Sequence, residues 1–138
     1  MQPIAYLFFK NTCREAMTHY AKVFGTKPEF MSFADMPEDV RAAMPGVSAD
    51  LVMHCALPIG DGWLYASDDP SGETAAMDGC NISVSLPDEA ETRRVYEGLS
   101  EGGEIRQPLE PAFWTPLFST FTDRFGISWM VMTDSPAP

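Results

Sequence analysis

Imidazole is scarce in this chain: His19 and His54 are its two histidines, set among 20 Asp and Glu and nine Lys and Arg in 138 residues. His54 lies in the run Leu51 to Leu57, out of phase with Leu51, Met53, Cys55 and Leu57. As a strand residue it shares a face with Val52 and Ala56, where it is either a core histidine held by one hydrogen bond or an acid–base group facing a ligand. A neutral imidazole near a carboxylate such as Asp68 has the proton-transfer chemistry that an isomerase or hydrolase needs. Asn81, Ser83 and Ser85 form a polar stripe on another strand, read either as a solvated face or as a ligand-facing one. Phe113, Trp114, Phe118, Phe121 and Trp129 are either a stacking wall for a planar ligand or plain core. Trp114, which follows a Pro-containing loop, is the best placed of these to meet a ligand. The cysteines Cys13, Cys55 and Cys80 are odd in number and lack C-x-x-C spacing, so neither a disulfide framework nor a zinc knuckle is indicated. Cys55 and Cys80 are expected on apolar faces as inert thiols. No G-x-S-x-G, Walker loop or G-x-G-x-x-G occurs, which removes serine-hydrolase, nucleotide-hydrolysing and dinucleotide-binding readings in their recognisable forms.

The elements that position these residues are written twice. A strand Ile4 to Phe9 leads to a helix with Thr12, Glu15 and Tyr20, and a strand Cys80 to Leu86 leads to one with Asp88, Glu91 and Tyr96, at a constant offset of 76 residues. Two modules are too few for a solenoid, so they are expected to be halves of one pseudo-symmetric domain with a binding site where they meet. Thr12-Cys13-Arg14-Glu15 fits a capping box, Cys13, Ala16, Met17, Tyr20, Ala21 and Phe24 follow helical spacing, and Gly25 supplies the left-handed stop. A strand at Lys27 to Phe33 precedes a short helix at Glu38 to Met44 opened by Pro37. Leu51 to Leu57 and Trp63 to Ser67 make a hairpin that closes the first module. In the second, Asp88 caps a helix whose Thr92, Val95, Tyr96 and Leu99 face inward, Glu104 to Pro108 is a short strand, and Leu117 to Thr122 with Ile127 to Thr133 form the last hairpin. Asp123 is expected to fix that hairpin through its side chain. Each module reads β-α-β-β-β, about residues 1–70 and 79–134, and Ser135 to Pro138 are expected to fray.

Composition narrows the partners. The prior for this length is one domain, and 45% apolar residues suffice for one core. A net charge of −11 disfavours nucleic acid and anionic membranes, and a neutral or cationic ligand is easier to accommodate. No basic region precedes the first apolar run and no stretch of about 18 apolar residues occurs, so neither a signal peptide nor a membrane span is expected, and the cytoplasm is the expected location.

Laid out this way, the chain resembles the vicinal oxygen chelate superfamily, also called the glyoxalase, bleomycin-resistance and dioxygenase superfamily, and within it the PhnB-like group. The segments YLFFKNTCREAMTHYAKVFG, MHCALPIGDGWLYASDDP, NISVSLPDEAETRRVYEGLSEGG and FWTPLFSTFTDRFGISWMV carry the resemblance, which covers essentially the whole chain. It implies an α+β fold in which two βαβββ modules form a curved mixed sheet around a cavity with helices on the outer face, usually as a homodimer. Metal-dependent members take His, His and Glu from the first and last strands of the modules. By that resemblance the ligand positions fall on Ala5, Asn81, Met130 and either Tyr65 or Ser67, none of which is a usual metal ligand. No cofactor is therefore predicted, and Asp68 with Asp69 is the remaining route to a divalent metal.

Two functions follow from the resemblance. One is a metal-independent, homodimeric binding protein for a small, partly aromatic or cationic molecule, with Tyr65, Asp68, Asn81, Ser83, Phe113, Trp114 and Met130 as ligand-binding residues. The other is a superfamily enzyme, lyase, isomerase or dioxygenase-like, with His54 as acid–base or atypical metal ligand. A purely interactional role is a third.

Overall fold

A computed structural model of the chain describes residues 1–134; the fraying expected of Ser135 to Pro138 lies outside them. The chain divides into two compact units, 1–75 and 76–138. The first contains strand β1 (Ala5–Phe9), helix α1 (Cys13–Phe24), β2 (Glu29–Ser32), a single 3-10 turn, the short helix α2 (Glu38–Ala42), β3 (Val52–Ile59) and β4 (Gly62–Asp68). The second contains β5 (Ile82–Leu86), α3 (Glu89–Ser100), β6 (Glu104–Ala112), β7 (Thr115–Thr122) and β8 (Ser128–Thr133). Each unit builds a four-stranded mixed sheet, in the order β1-β4-β3-β2 and β5-β8-β7-β6. In each, the first strand runs parallel to the last and the other pairs are antiparallel. The expected α+β pair of βαβββ modules is the observed fold.

Period-two alternation decides which face of each sheet is covered. In the first unit Leu7, Phe9, Cys55, Leu57, Leu64 and Ala66 are buried on one face. Helix α1 packs on β3 and β4 with Cys13, Ala16, Met17, Tyr20 and Ala21 inward, which is the stripe its spacing predicts. In the second unit α3 packs on its sheet through Thr92, Val95 and Leu99, and Tyr96, half-buried, meets the buried Phe121 edge-on with ring centroids 5.8 Å apart. Gly25 has φ +70° and ends α1 as expected. Gly103 has no room for a side chain, since a Cβ there would collide with the Thr122 carbonyl oxygen.

Several expected details differ. Strand β5 starts at Ile82, so Cys80 and Asn81 precede it and are exposed, and Cys80 is not on an apolar face. Strand β6 runs on through Pro108 and Pro111 to Ala112 with three irregularities in its pairing to β7; as an edge strand it tolerates prolines that a central strand would not. The Thr12 capping box does not form: the Thr12 side chain makes no cap bond, and the carboxylate of Asp68 accepts the Cys13 N–H instead, at 3.0 Å. Asp88 does cap α3, accepting the Glu91 N–H at 2.8 Å.

The offset between modules is also not constant. Phe9 pairs with Asp68 and Leu86 with Thr133, so Phe9 and Leu86, 77 residues apart, are equivalent, whereas the helices start 76 apart. The extra residue sits in the link Lys10-Asn11-Thr12, where Asn11 adopts φ +68°; its counterpart is only Pro87-Asp88. A one-residue slip exchanges the faces of a strand. Ala5 therefore corresponds to Ile82, not to Asn81, and the residues directed away from the helices are Tyr6 and Phe8 in β1 and Ser83 and Ser85 in β5.

Candidate functional site

The sheet face of the first unit that α1 leaves uncovered is lined with rings. Tyr6 and Phe8 of β1, Met31 of β2, His54 of β3, and Trp63 and Tyr65 of β4 share it, and Tyr6, Phe8, Met31 and Trp63 remain 41%, 56%, 46% and 47% exposed. The rings form one connected set. Centroids lie 5.3 Å apart for Tyr6 and Phe8, 5.7 Å for Tyr6 and His54, 6.3 Å for Tyr6 and Tyr65, 5.1 Å for His54 and Tyr65, and 6.3 Å for Trp63 and Tyr65. The two tyrosines approach each other edge-on, as does His54 to Tyr65, the arrangement that ring quadrupoles favour.

His54 is where alternation places it, half-buried on this face with Ala56. Its partner, however, is Tyr6, whose hydroxyl lies 3.2 Å from Nδ1. Val52 does not share the face. The pairing of β2 with β3 skips Met53, going from Met31–His54 to Ser32–Val52, and this irregularity turns Val52 into the interior.

Asp68 is not the carboxylate partner expected for His54. It is buried, with one oxygen accepting the Cys13 N–H at 3.0 Å and the other the Val52 N–H at 2.9 Å. Burial first and then this carboxylate push the Cys13 thiol far above its ordinary range, while burial alone pushes Cys55 up to about 12 against a smaller opposing pull from Arg14. Both thiols stay protonated near neutrality. Where β4 ends, a pocket of about 380 Å³ opens between Phe8, Phe33, Met53, Ser67, Pro70 and Thr74.

Asp69, beside it, accepts hydrogen bonds from the Thr74 hydroxyl at 2.6 Å and from the Ser71 hydroxyl and N–H at 2.7 and 2.9 Å. These bonds, the one from Thr74 foremost, hold its carboxyl down from 3.8 to about 2. A carboxyl with a depressed folded-state pKa adds stability that is complete above the unfolded value and is lost as pH falls through the folded one. The turn is therefore expected to hold above about pH 4 and to open toward pH 2, and carboxyl carbon NMR should show Asp69 titrating near 2 in the parent and moving back toward 3.8 in Thr74→Val.

The remaining expected site residues lie in the second unit. Ser83 is exposed on the sheet face away from α3, and Met130, half-buried, pairs with it. Asn81 stands outside the strand and accepts the Arg106 guanidinium at 2.6 Å. Phe113 is fully exposed at the turn joining β6 and β7, and Trp114 beside it is 41% exposed and meets Phe118 with centroids 4.9 Å apart. Phe121 and Trp129 are wholly buried core. Asp123 is the turn residue expected, accepting the N–H groups of Phe125 and Ile127.

The metal implied for some relatives finds no fitting donors at these positions. With the register corrected, the residues that the first and last strands of the two modules turn to the uncovered faces are Tyr6, Phe8, Trp63, Tyr65, Ser67, Ser83, Ser85, Ser128, Met130 and Met132, with no imidazole or carboxylate among them, and His54 on β3 is a single imidazole beside them. Asp68 and Asp69 have their oxygens engaged as described. Among the described residues no three His, Cys, Asp or Glu side chains gather to hold a metal ion, and no helix is long and apolar enough to cross a membrane.

Tyr6, Phe8 and Trp63 are ring residues of this face that sequence reading missed, while His54 and Tyr65 were among those expected. Ile4 to Phe9 is apolar or aromatic throughout, so no polarity contrast marks which residues face the helix.

Comparison with known proteins agrees with this architecture. A structure of protein PA1353 from Pseudomonas aeruginosa is 38% identical, with each chain covered to 99% and a TM-score of 0.88. A Bacillus cereus structure described as a putative 3-demethylubiquinone-9 3-methyltransferase, PhnB protein, is 20% identical, with 97% of this chain and 100% of that one covered and a TM-score of 0.78, a likeness of fold. Protein YjdN of Escherichia coli strain K12 is 25% identical over 134 residues, 91% of this chain and 90% of that protein. The family model described as Glyoxalase/Bleomycin resistance protein/Dioxygenase superfamily matches residues 4–131, and with the paired βαβββ modules it shows that the chain belongs to that superfamily.

Proposed function

We propose that this chain is a PhnB-like, metal-independent binding protein for a small, flat molecule with aromatic or cationic character, held on the ring-lined face of the first unit. The observation that carries this reading is the connected set Tyr6, Phe8, His54, Trp63 and Tyr65 on the sheet face that α1 leaves uncovered. Ring faces attract both planar ligands and cations, and a chain of net charge −11 draws cations toward itself. A homodimer is part of the proposal, supported by the exposed Phe113 and Trp114 at the turn joining β6 and β7 and by the exposed Ile105 at the other end of β6. Sedimentation of the purified protein tests it.

The expected result with a panel of cationic aromatics led by N-methylquinolinium is saturable quenching of tryptophan fluorescence. Trp129 is buried and Trp114 stands at the turn joining β6 and β7, so the indole on the ring-lined face is Trp63, and in a Trp114→Phe background Trp63→Phe should remove most of the signal. Tyr65→Ala should weaken binding about 5- to 10-fold, the value of one ring contact. No saturable quenching across the panel would overturn the reading.

The hydrogen bond between Tyr6 and His54 favours a second reading, an enzyme with His54 as acid–base group. Turnover of a superfamily-type substrate that is lost in His54→Ala while quenching persists would select it.

A further inference from the structure

A histidine whose two ring nitrogens face different surroundings presents one definite chemical group to a ligand, and which group is set by the bond made at the other nitrogen. At His54 that bond is to Tyr6, with the phenol oxygen 3.2 Å from Nδ1. A phenol is a stronger donor than an imidazole N–H, and an imidazole nitrogen is a better acceptor than a phenol oxygen. The pair is therefore best satisfied with Tyr6 O–H donating to Nδ1. The ring proton then resides on Nε2.

We propose that Tyr6 is a positioning residue that holds His54 as its Nε2–H tautomer, so that the ring-lined face offers its ligand a hydrogen-bond donor and selects flat molecules that carry an acceptor atom such as a carbonyl oxygen. The inference rests on the reading that this face binds a ligand, and it narrows that ligand's chemistry. Three observations converge on it. Tyr6 and His54 touch by both ring contact and hydrogen bond, which fixes the imidazole plane as well as its proton. Tyr65 packs edge-on against the same imidazole at 5.1 Å, leaving it supported by two rings. Among the described residues no carboxylate is within the hydrogen-bond set of His54, Asp68 being committed to two backbone amides, so the tautomer is governed by the phenol.

The tautomer can be read without any ligand. Long-range proton–nitrogen correlation spectra of the full chain, at a pH where His54 is neutral and with His19→Gln used to assign the two histidines, should show His54 Nδ1 as the unprotonated nitrogen. Tyr6→Phe keeps the ring and removes the hydroxyl from an exposed position, so the fold should persist by circular dichroism while His54 relaxes toward a mixture of tautomers. A protonated Nδ1 in the parent protein overturns the assignment, as does a Tyr6→Phe spectrum identical to that of the parent.

Ligand selectivity is read with a neutral matched pair, 2-acetylnaphthalene and 2-ethylnaphthalene, followed by NMR shift titration. The ketone should bind about 5- to 10-fold more tightly, the worth of one net hydrogen bond. Tyr6→Phe should erase most of that ratio, and His54→Phe should abolish it. Equal loss of both probes in Tyr6→Phe would mean that Tyr6 acts as bulk alone and would overturn the proposal. Failure of both probes to bind the parent protein would remove the binding reading and the selectivity with it, while the ligand-free spectrum separately decides what Tyr6 does to His54.

Discussion

Replacing Asp123 with alanine is expected to destabilise the second unit by about 3–5 kcal/mol, a large share of the stability of a small protein. One oxygen of Asp123 accepts the N–H groups of Phe125 and Ile127, at 2.9 and 3.0 Å, and the other accepts the indole N–H of Trp129 at 2.8 Å. Asp123 is 4% exposed and Trp129 wholly buried, so alanine would leave donors in the interior without a water to replace the carboxylate. Each such orphan costs about 1–3 kcal/mol. The bonds also tie the turn to the strand it launches, since Thr122 pairs with Ser128 and the Trp129 indole packs one residue further along. Asp123→Asn should cost about half as much: its amide oxygen can still serve the turn, but its NH2 would face the indole N–H. Urea denaturation in a Trp63→Phe, Trp114→Phe background, where Trp129 is the sole indole, would show both the lowered midpoint and a red-shifted emission. A loss under about 1 kcal/mol in Asp123→Ala would mean that the turn holds without its side chain.

Asp123 was legible because everything it does is local. Its partners lie two, four and six residues on, within the reach of turn chemistry that a sequence displays. The same holds for the helices, whose apolar stripes and the Gly25 stop gave α1 and α3 nearly to the residue. Reading failed wherever a partner was distant or a count had to be kept across a loop. The added residue at Asn11 shifted the first strand by one against its repeat, which put Ala5 where Tyr6 belongs on the uncovered face, while the stripe of Ser83 and Ser85 kept the face expected of it and Asn81 fell outside the strand. The irregular pairing at Met53 did the same to Val52 within β3. His54 was placed correctly because its own strand is regular from there onward, pairing Cys55 to Ile59 with Ala66 to Gly62. Its hydroxyl partner, 48 residues away on a strand with no polar contrast, had no local signal.

Asp68→Ala should likewise cost about 3–5 kcal/mol, by an effect that crosses the whole first unit. In the second unit a local aspartate, Asp88, caps α3, and the strand residue equivalent to Asp68 is Thr133, which need only share a hydroxyl bond with Thr92 at 2.7 Å. In the first unit the longer link carries Thr12 away from a capping geometry, and the task passes to Asp68 from the end of β4. A carboxylate at a helix N-terminus gains from the helix dipole as well as from the hydrogen bond. The second oxygen anchors Val52 at the start of β3, so one side chain fastens α1, β3 and β4 together. Asparagine is a poor substitute, because it has one acceptor oxygen for two amides and its NH2 group would oppose the other N–H; about 2–3 kcal/mol should be lost. Hydrogen exchange gives a readout that a general loss of stability does not. In Asp68→Asn the Cys13 and Val52 amides should exchange faster relative to the interior of α1, such as Tyr20, whereas uniform acceleration of all three would mean that Asp68 contributes only to overall packing. The Cys13 thiol supplies an independent check, since removing the neighbouring negative charge should bring its pKa down while burial still holds it above the ordinary value.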